Sequence, residues 1–327
     1  MRAFVATGYG PPEVLRLRDL PIPVHGGKEV LIKVYATTVT SGDWRIRSLE
    51  IPRGFKLVSR FMFGISRPRQ PILGTEVAGR VESVGPKVTR FSPGDDVVAY
   101  SESLGCHAEY IVMSQDAAIA PKPATLSFEQ AAALSFGGTT ALQFLRRGNV
   151  RSQDNVLVNG ASGAVGSAAV QLGKHFGAIV TGVCSTANVE LVQSVGADQV
   201  IDYTRQDVAS HGSTYDIIVD TVGTLPFSRS KNLLKQGGRL LVVLGTLSDL
   251  LQIPWVSITS NKKVIAGPAL ANVEDLQFLA RLAAAGHFMP VIDRTYPFEQ
   301  MVEAHRYVDK GHKRGNVVII VDEDWKK

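Results

Sequence analysis

Between Asn155 and Cys184 the chain reads NVLVNGASGAVGSAAVQLGKHFGAIVTGVC, and the residue types and spacing there suit the binding of a dinucleotide. Ala161, Gly163 and Gly166 fall at G-x-G-x-x-G spacing with alanine in the first place, and Ser162, Ala164 and Val165 fill the turn. A glycine at 163 lets backbone approach a pyrophosphate, and one at 166 lets a helix pack close to a strand. The N–H groups and positive dipole end of that helix would then face the phosphates. A glycine-rich turn alone often only joins a strand to a helix, so its setting matters. Val156–Val158 is an apolar run before it, Ala168, Ala169, Leu172 and Phe176 recur at helical spacing after it, and Ala178 to Val183 is a second β-like run.

Other residues gather around that unit. Val222-Gly223 and Leu244-Gly245 close apolar runs, at the sheet edge where such folds bind ligands. The second strand ends in Cys184-Ser185-Thr186 with no acid to grip both ribose hydroxyls. A 2′-phosphate is therefore not repelled, which favours NADPH and leaves NADH open.

The totals bound the class. With 327 residues two domains are expected, and 45% hydrophobic against 20% charged residues describe an ordinary globular protein. A net charge of +5 suits an anionic cofactor without implying nucleic-acid binding, which is not expected. Cys106 and Cys184 lack a C-x-x-C partner, so no disulfide framework is expected and a cytoplasmic location is the default. The start, MRAFVATGYG, has no apolar h-region, and no run of eighteen apolar residues occurs; neither a signal peptide, a span nor a membrane partner is expected.

Residues 1 to about 120 read as short β segments, at Arg2–Thr7, Val14–Leu17, Val30–Val34, Val77–Val84, Val97–Tyr100 and Ala108–Met113, broken by Gly and Pro into an all-β domain like a small distorted barrel. After Pro121 and Pro123 the pattern changes. A helical stretch from Phe128 to Leu145, interrupted at Gly137-Gly138, leads into strands alternating with helices at Val189–Val195 and near Arg229–Lys235. Six strands in all, with later ones at Gln199–Ile201, Tyr215–Asp220, Arg239–Leu244 and Val264–Ala266, predict a doubly wound parallel sheet, an α/β architecture, over about 123 to 268. Two amphipathic helices, Asp275–Ala285 and Phe298–Asp309, and a strand, Asn316–Val321, follow; spacing alone does not say which domain they join.

Gly74-Thr75-Glu76-Val77-Ala78-Gly79, Val84-Gly85, Phe91-x-x-Gly94-Asp95-x-Val97, the segment 160–166, Gly196-Ala197-Asp198 with Ile201-Asp202-Tyr203, and Arg314-Gly315-Asn316-Val317-Val318 together resemble the medium-chain dehydrogenases/reductases over nearly the whole chain. The resemblance implies a GroES-like β-barrel catalytic domain over 1–122, a Rossmann cofactor domain over 123–268 and a return of 269–327 to the catalytic domain. Zinc-dependent members carry an early cysteine and a G-H-E motif, where this chain has Asp43 and Thr75, and the cluster of four structural cysteines is missing. A threonine hydroxyl is a poor zinc ligand. No metal is expected, and the chain resembles the zinc-independent quinone oxidoreductase branch and its alkenal-reducing relatives.

That branch implies roles residue by residue. Ser185 and Tyr203 match residues of NADP-binding relatives, whereas Ala187 and Asn188 stand where a basic partner is expected. Thr140, within Gly137-Gly138-Thr139-Thr140-Ala141, matches a threonine near the nicotinamide, with a purely helix-bending role as the alternative; Arg314 and Gly315 are assigned to the cofactor as well. Thr40, Asp43 and Arg47 match an Asn-x-x-Asp-x-x-x-Arg catalytic pattern with Thr40 in place of asparagine, the alternative for Asp43 and Arg47 being a structural ion pair.

From Arg45 to Arg69 seven basic residues face a single acid, Glu50, among Phe55, Leu57, Val58, Phe61, Met62 and Phe63. Trp44, Phe61 and Phe63 are candidate substrate contacts in a lid over an apolar acceptor; a solvated basic helix, a subunit contact and a single-stranded nucleic-acid contact compete with that reading. The expected function is hydride transfer from NADPH to a quinone, probed against α,β-unsaturated aldehydes or ketones, alcohol oxidation and a non-catalytic NADPH-binding scaffold, in a homodimer such as relatives form.

Overall fold

A computed structural model describes residues 1–323. The chain divides into two compact units. One comprises Met1–Ile51, Lys56–Phe136 and the segment from Leu270 onward; the other comprises Pro52–Phe55 and Gly137–Ala269.

The second unit is built on a six-stranded parallel sheet. Its strands run in the order Gln199–Asp202, Ile179–Cys184, Asn155–Asn159, Tyr215–Asp220, Leu234–Val242, Lys263–Ile265. Numbered along the chain, that order is 3-2-1-4-5-6, the Rossmann arrangement. The apolar runs that announce these strands need not alternate because helices cover both faces, and Val156, Leu157, Val158, Ile217, Ile218 and Val219 are completely buried. The order reverses between the strands ending at Asn159 and Asp220, which pair in register. A crevice at their carboxyl ends is where such sheets take ligands.

Two details depart from the sequence reading. The helical stretch breaks at Ala133-Leu134, giving helices Phe128–Ala132 and Ser135–Arg147, with Gly137 and Gly138 inside the second. Gly137 serves close packing instead, since a Cβ there would lie 2.6 Å from the Ala164 carbonyl oxygen. Lys235 belongs to the strand Leu234–Val242, and the preceding helix is only Phe227–Ser230, because Leu234 already pairs with Tyr215.

In the first unit the eleven-residue strand Glu29–Val39 is central. It pairs antiparallel with Glu76–Val84, Tyr110–Ser114 and Asn316–Ile320, and register shifts after Leu31 and Val34 bend it, as bulges do. Asp96–Tyr100 and Ala118–Pro121 extend one side and Ile292–Pro297 the other, the last parallel to its neighbour. A two-stranded ribbon, Arg2–Ala6 with Leu15–Asp19, joins through single bridges at Ala108 and Ile72. The tail thus adds strands and the helix Met301–Asp309 to the same core, where Phe298, Met301 and Val308 pack with Phe4, Val34 and Leu73.

Two histidines sit in that core. His107 and His305 are fully buried and meet edge to face with ring centroids 5.5 Å apart. Nε2–H of His107 donates to the Thr38 carbonyl (2.9 Å), while His107 Nδ1 and both nitrogens of His305 lack a hydrogen-bond partner. Burial, with the neighbouring His107 and Arg47, drives the His305 imidazole well below its ordinary range. The folded protein therefore resists a proton that the unfolded chain accepts below about pH 6.5, and this stability, present above that pH, is lost as pH falls. Replacing His305 by leucine should remove the loss. In urea unfolding the stability of the parent relative to the variant should fall by about 1 kcal/mol per pH unit below pH 6.5, and comparison at each pH cancels other titrating groups. Parallel curves would mean that folded His305 takes the proton.

Candidate functional site

The parallel-sheet unit holds a cradle at its switch point. Gly160 follows the first strand with φ +80°, and the turn closes through Gly163 N–H on the Gly160 carbonyl (3.1 Å) before the helix Ala164–His175 begins. A Cβ at residue 166 would lie 2.0 Å from the Gly160 carbonyl oxygen, so glycine there is a packing requirement. At Gly163 the nearest atom to such a Cβ is 3.6 Å away, an ordinary contact. Nothing within the protein forbids a Cβ at 163; its lack leaves backbone bare in front of the helix. Gly163 caps that twelve-residue helix without any side-chain hydrogen bond, leaving its first N–H groups and dipole to an anion. A pyrophosphate fits this bare, uncapped turn.

Asp220, buried at the end of its strand, organises the other side of the crevice. It accepts hydrogen bonds from Asn159 Nδ2 (2.9 Å) and from the backbone N–H groups of Val222 (3.2 Å), Gly223 (3.0 Å) and Leu225 (2.9 Å). The N–H groups of Val222 and Gly223 are therefore committed to Asp220, and what these residues can offer a ligand is carbonyls and the exposed Val222 side chain. Leu244 and Gly245 follow the strand Leu234–Val242, and Thr140 is buried in the helix Ser135–Arg147.

At the ends of the outer strands the polar groups knit together. Asn188 Nδ2 donates to Ser162 Oγ and Ser185 Oγ, each at 3.2 Å, so the residue that replaces an expected base ties the turn to the second strand. Asp202 ends the next strand, accepting from the Thr186 hydroxyl and from Thr204 N–H (3.0 Å) and Oγ1 (2.7 Å). The Thr186 hydroxyl, helped by Thr204 and Arg205, holds its carboxyl below the usual range. Arg205 reaches Asp202 at 3.4 Å but is largely exposed, as is Tyr203. The roles of Asp202, Arg205 and Asn188 have no signal directly after the second strand, where a charged ribose partner is expected, because Asp202 and Arg205 come at or just past the end of the next strand.

In the β unit, Thr40 and Asp43 form the capping box of helix Ser41–Ser48: Thr40 N–H (2.8 Å) and Oγ1 (2.6 Å) donate to Asp43, and Asp43 N–H donates back to Thr40 Oγ1 (3.1 Å). Gly74 N–H adds a bond to the second Asp43 oxygen (2.9 Å). Arg47 does not pair with Asp43, as the structural alternative had it. Fully buried, it grips Asp309 through both carboxylate oxygens (2.5 and 2.6 Å) and donates to the Gly10 carbonyl (3.0 Å). Asp43 is already satisfied by its own helix cap, which leaves Arg47 to the tail.

Trp44 packs on the core edge beneath the Arg45 guanidinium. Phe61 and Phe63 lie two residues apart on the helix Lys56–Phe63 and hence on opposite sides; Phe61 is exposed and Phe63 half-buried. Arg314 donates its N–H to Asp293 (2.9 Å), and Gly315, with φ +61°, leaves no room for a side chain, a Cβ falling 2.2 Å from the Val291 carbonyl oxygen. Thr75 has a buried hydroxyl with no partner, and among the described residues no group of three or more His, Cys, Asp or Glu side chains could hold a metal ion. Glu76, buried beside Thr38 and accepting from Phe136 N–H (2.5 Å), is pushed up to about 7 by burial.

Comparison with known proteins places this geometry. Residues 26–124 match the alcohol dehydrogenase GroES-like domain and 195–319 the domain described as zinc-binding dehydrogenase. The mouse quinone oxidoreductase is 33% identical, covering 98% of each chain. The chain belongs to the medium-chain dehydrogenase/reductase superfamily. This member is thus an NAD(P)H-dependent oxidoreductase. A 2-methylene-furan-3-one reductase of tomato is 32% identical over 98% of this chain and 79% of that protein. The quinone oxidoreductase structure from Coxiella burnetii superimposes with a TM-score of 0.87 at 30% identity, covering 98% of this chain and 99% of that one.

The two glycines separate fold from ligand. Gly166→Ala should destabilise the protein by about 1–3 kcal/mol, the cost of forcing atoms into filled space. Gly163→Val should leave thermal unfolding nearly unchanged yet weaken cofactor binding at least about tenfold in a fluorescence titration, since it covers only the anion-facing backbone. Unimpaired binding by Gly163→Val would remove the pyrophosphate from this turn.

Proposed function

We propose that the protein reduces a quinone with NADPH and without zinc. The observation that carries this reading is the commitment of Asp43 and Arg47. Both are buried and hydrogen-bonded to structural partners, and Thr75 offers a poor ligand, so the acceptor must itself be electron-poor. Bound NADPH supplies a hydride from the nicotinamide C4. A quinone takes its two electrons and, with one proton from solvent, becomes the hydroquinone. The same chemistry reduces the β-carbon of an enone, and the tomato relative's name favours that as the second reading.

The chain's tasks are to bind, orient and exclude water. The uncapped turn at Gly163 to Gly166 holds the pyrophosphate, and Thr140, Leu244 and Gly245 border the nicotinamide. Ser185, Tyr203 and Arg205 receive the 2′-phosphate, and Arg205, 3.4 Å from the Asp202 carboxylate, is the cation that balances that charge. We further propose a homodimer in a reducing compartment, in keeping with two buried free thiols.

Oxidation of NADPH and NADH after chelator treatment, against a naphthoquinone, a 2-alkenal and a simple aldehyde, tests the reading. Quinone turnover with NADPH preferred is expected; activity on the aldehyde alone, lost with chelator, would refute it. Arg205→Ala should raise KM for NADPH by about ten- to a hundredfold, the worth of a charge-assisted bond to phosphate, and leave KM for NADH within about twofold. Equal effects on both cofactors would remove Arg205 from the phosphate.

A further inference from the structure

The helix Lys56–Phe63 is turned inside out. A helix on a protein surface normally buries its apolar stripe. Here the one buried residue is Ser59, while Leu57 (82% exposed), Val58 (55%), Phe61 (73%) and Met62 (63%) face solvent, followed by Ile65 (70%) in the next turn. Leu57 and Phe61, and Val58 with Met62, are four residues apart, so their side chains form two adjacent rows and one continuous apolar arc.

The segment is held in this posture. Gly64, with φ +123°, ends the helix and donates to the Arg60 carbonyl (3.0 Å); Arg69 N–H returns to the Phe63 carbonyl (2.7 Å); and the Tyr9 hydroxyl donates to the Gly64 carbonyl (2.7 Å). A loosely attached helix could roll its apolar side inward. This one is pinned at its end.

The segment that carries the arc bears only positive charge. Lys56, Arg60, Arg67 and Arg69 are all exposed, no Asp or Glu occurs from Lys56 to Thr75, and the Arg69 guanidinium stands 6.0 Å from the Phe61 ring centre. A two-fold contact with a second copy would set like charge against like. Exposed large apolar groups rimmed by lysine and arginine match a bilayer interface carrying acidic lipids, apolar side chains entering the acyl boundary and cations resting among phosphates.

We propose that the helix Lys56–Phe63 and the turn to Arg69 seat the protein on an anionic lipid surface. No span is needed, and none of the described helices is long and apolar enough to cross a membrane. The proposal stands apart from the quinone reading, because its readout is binding.

The test is co-sedimentation of the full-length protein with phosphatidylcholine vesicles, either pure or containing about 30 mol% phosphatidylserine, at roughly 150 mM and 500 mM salt. Binding to the acidic vesicles alone, weakened in high salt, is expected. Leu57→Ser with Met62→Ser, and separately Lys56→Glu with Arg60→Glu, should each reduce it at least about tenfold, with thermal unfolding and cofactor binding unchanged. Equal binding to neutral vesicles, retention by the serine variant, or no binding to acidic vesicles would overturn the proposal. So would a shift of the parent to a lower solution mass on introducing the two serines, which would assign the arc to a second copy, or salt-sensitive binding of single-stranded nucleic acid in place of vesicles.

Discussion

The carbonyl oxygen of Gly160 occupies the place where a side chain at residue 166 would begin. That close approach fixes how far the helix Ala164–His175 can lie from the strand Asn155–Asn159, and so where the uncapped helix end points. Everything around the crevice is set against it. Asn159, at the end of the same strand, reaches Asp220 across the switch point, and Asp220 gathers the N–H groups of the loop 222–225. Asn188 then ties Ser162 in the turn to Ser185, just past the end of the neighbouring strand. One steric contact and two hubs of hydrogen bonds build a rigid anion-facing surface, as preorganised binding requires.

In the β unit the corresponding role falls to a buried charge. Arg47 is fully enclosed, and removing its partner would strand a cation in the core, a loss of about 3–5 kcal/mol for such pairs. The partner, Asp309, ends the helix Met301–Asp309, so the tail is bound to the helix Ser41–Ser48 by electrostatics as well as by packing. The cost of burial explains why Asp43 and Arg47, four residues apart on one helix, take separate partners: each finds more donors or acceptors elsewhere than the other could give.

How much of this the sequence disclosed follows from the range of each interaction. The cradle depends on residues within a few positions of one another, and Gly163, Gly166 and the flanking valines were legible from spacing. The six parallel strands were legible too, because fully buried strands are continuous apolar runs. Pairing of Arg47 with Asp309 spans 262 positions, and nothing local to either residue announces it. Gly182 is similarly silent in sequence, although a Cβ there would fall 2.4 Å from Val192. Periodicity revealed an apolar and basic segment after Arg45 but not which side of its helix faces outward, since the buried position is the polar Ser59. The break before Ser135 was misplaced for a related reason: glycines read as helix breakers are tolerated where a neighbouring backbone needs the space.

The strand Asn316–Ile320 pairs with Glu29–Val39, and this has a bearing on the order in which a ribosome could deliver a working molecule. The central strand of the β unit and this neighbour lie far apart in the chain, the one synthesised long before the other. Residues Gly137–Ala269, by contrast, form one uninterrupted stretch of the parallel-sheet unit and carry their sheet partners with them. Contacts this distant in sequence form late, after the entropy of closing a long loop has been met. The nucleotide-binding half can therefore reach its native form on the nascent chain while the other half waits, with the unpaired edge of Glu29–Val39 exposed until Asn316–Ile320 emerges.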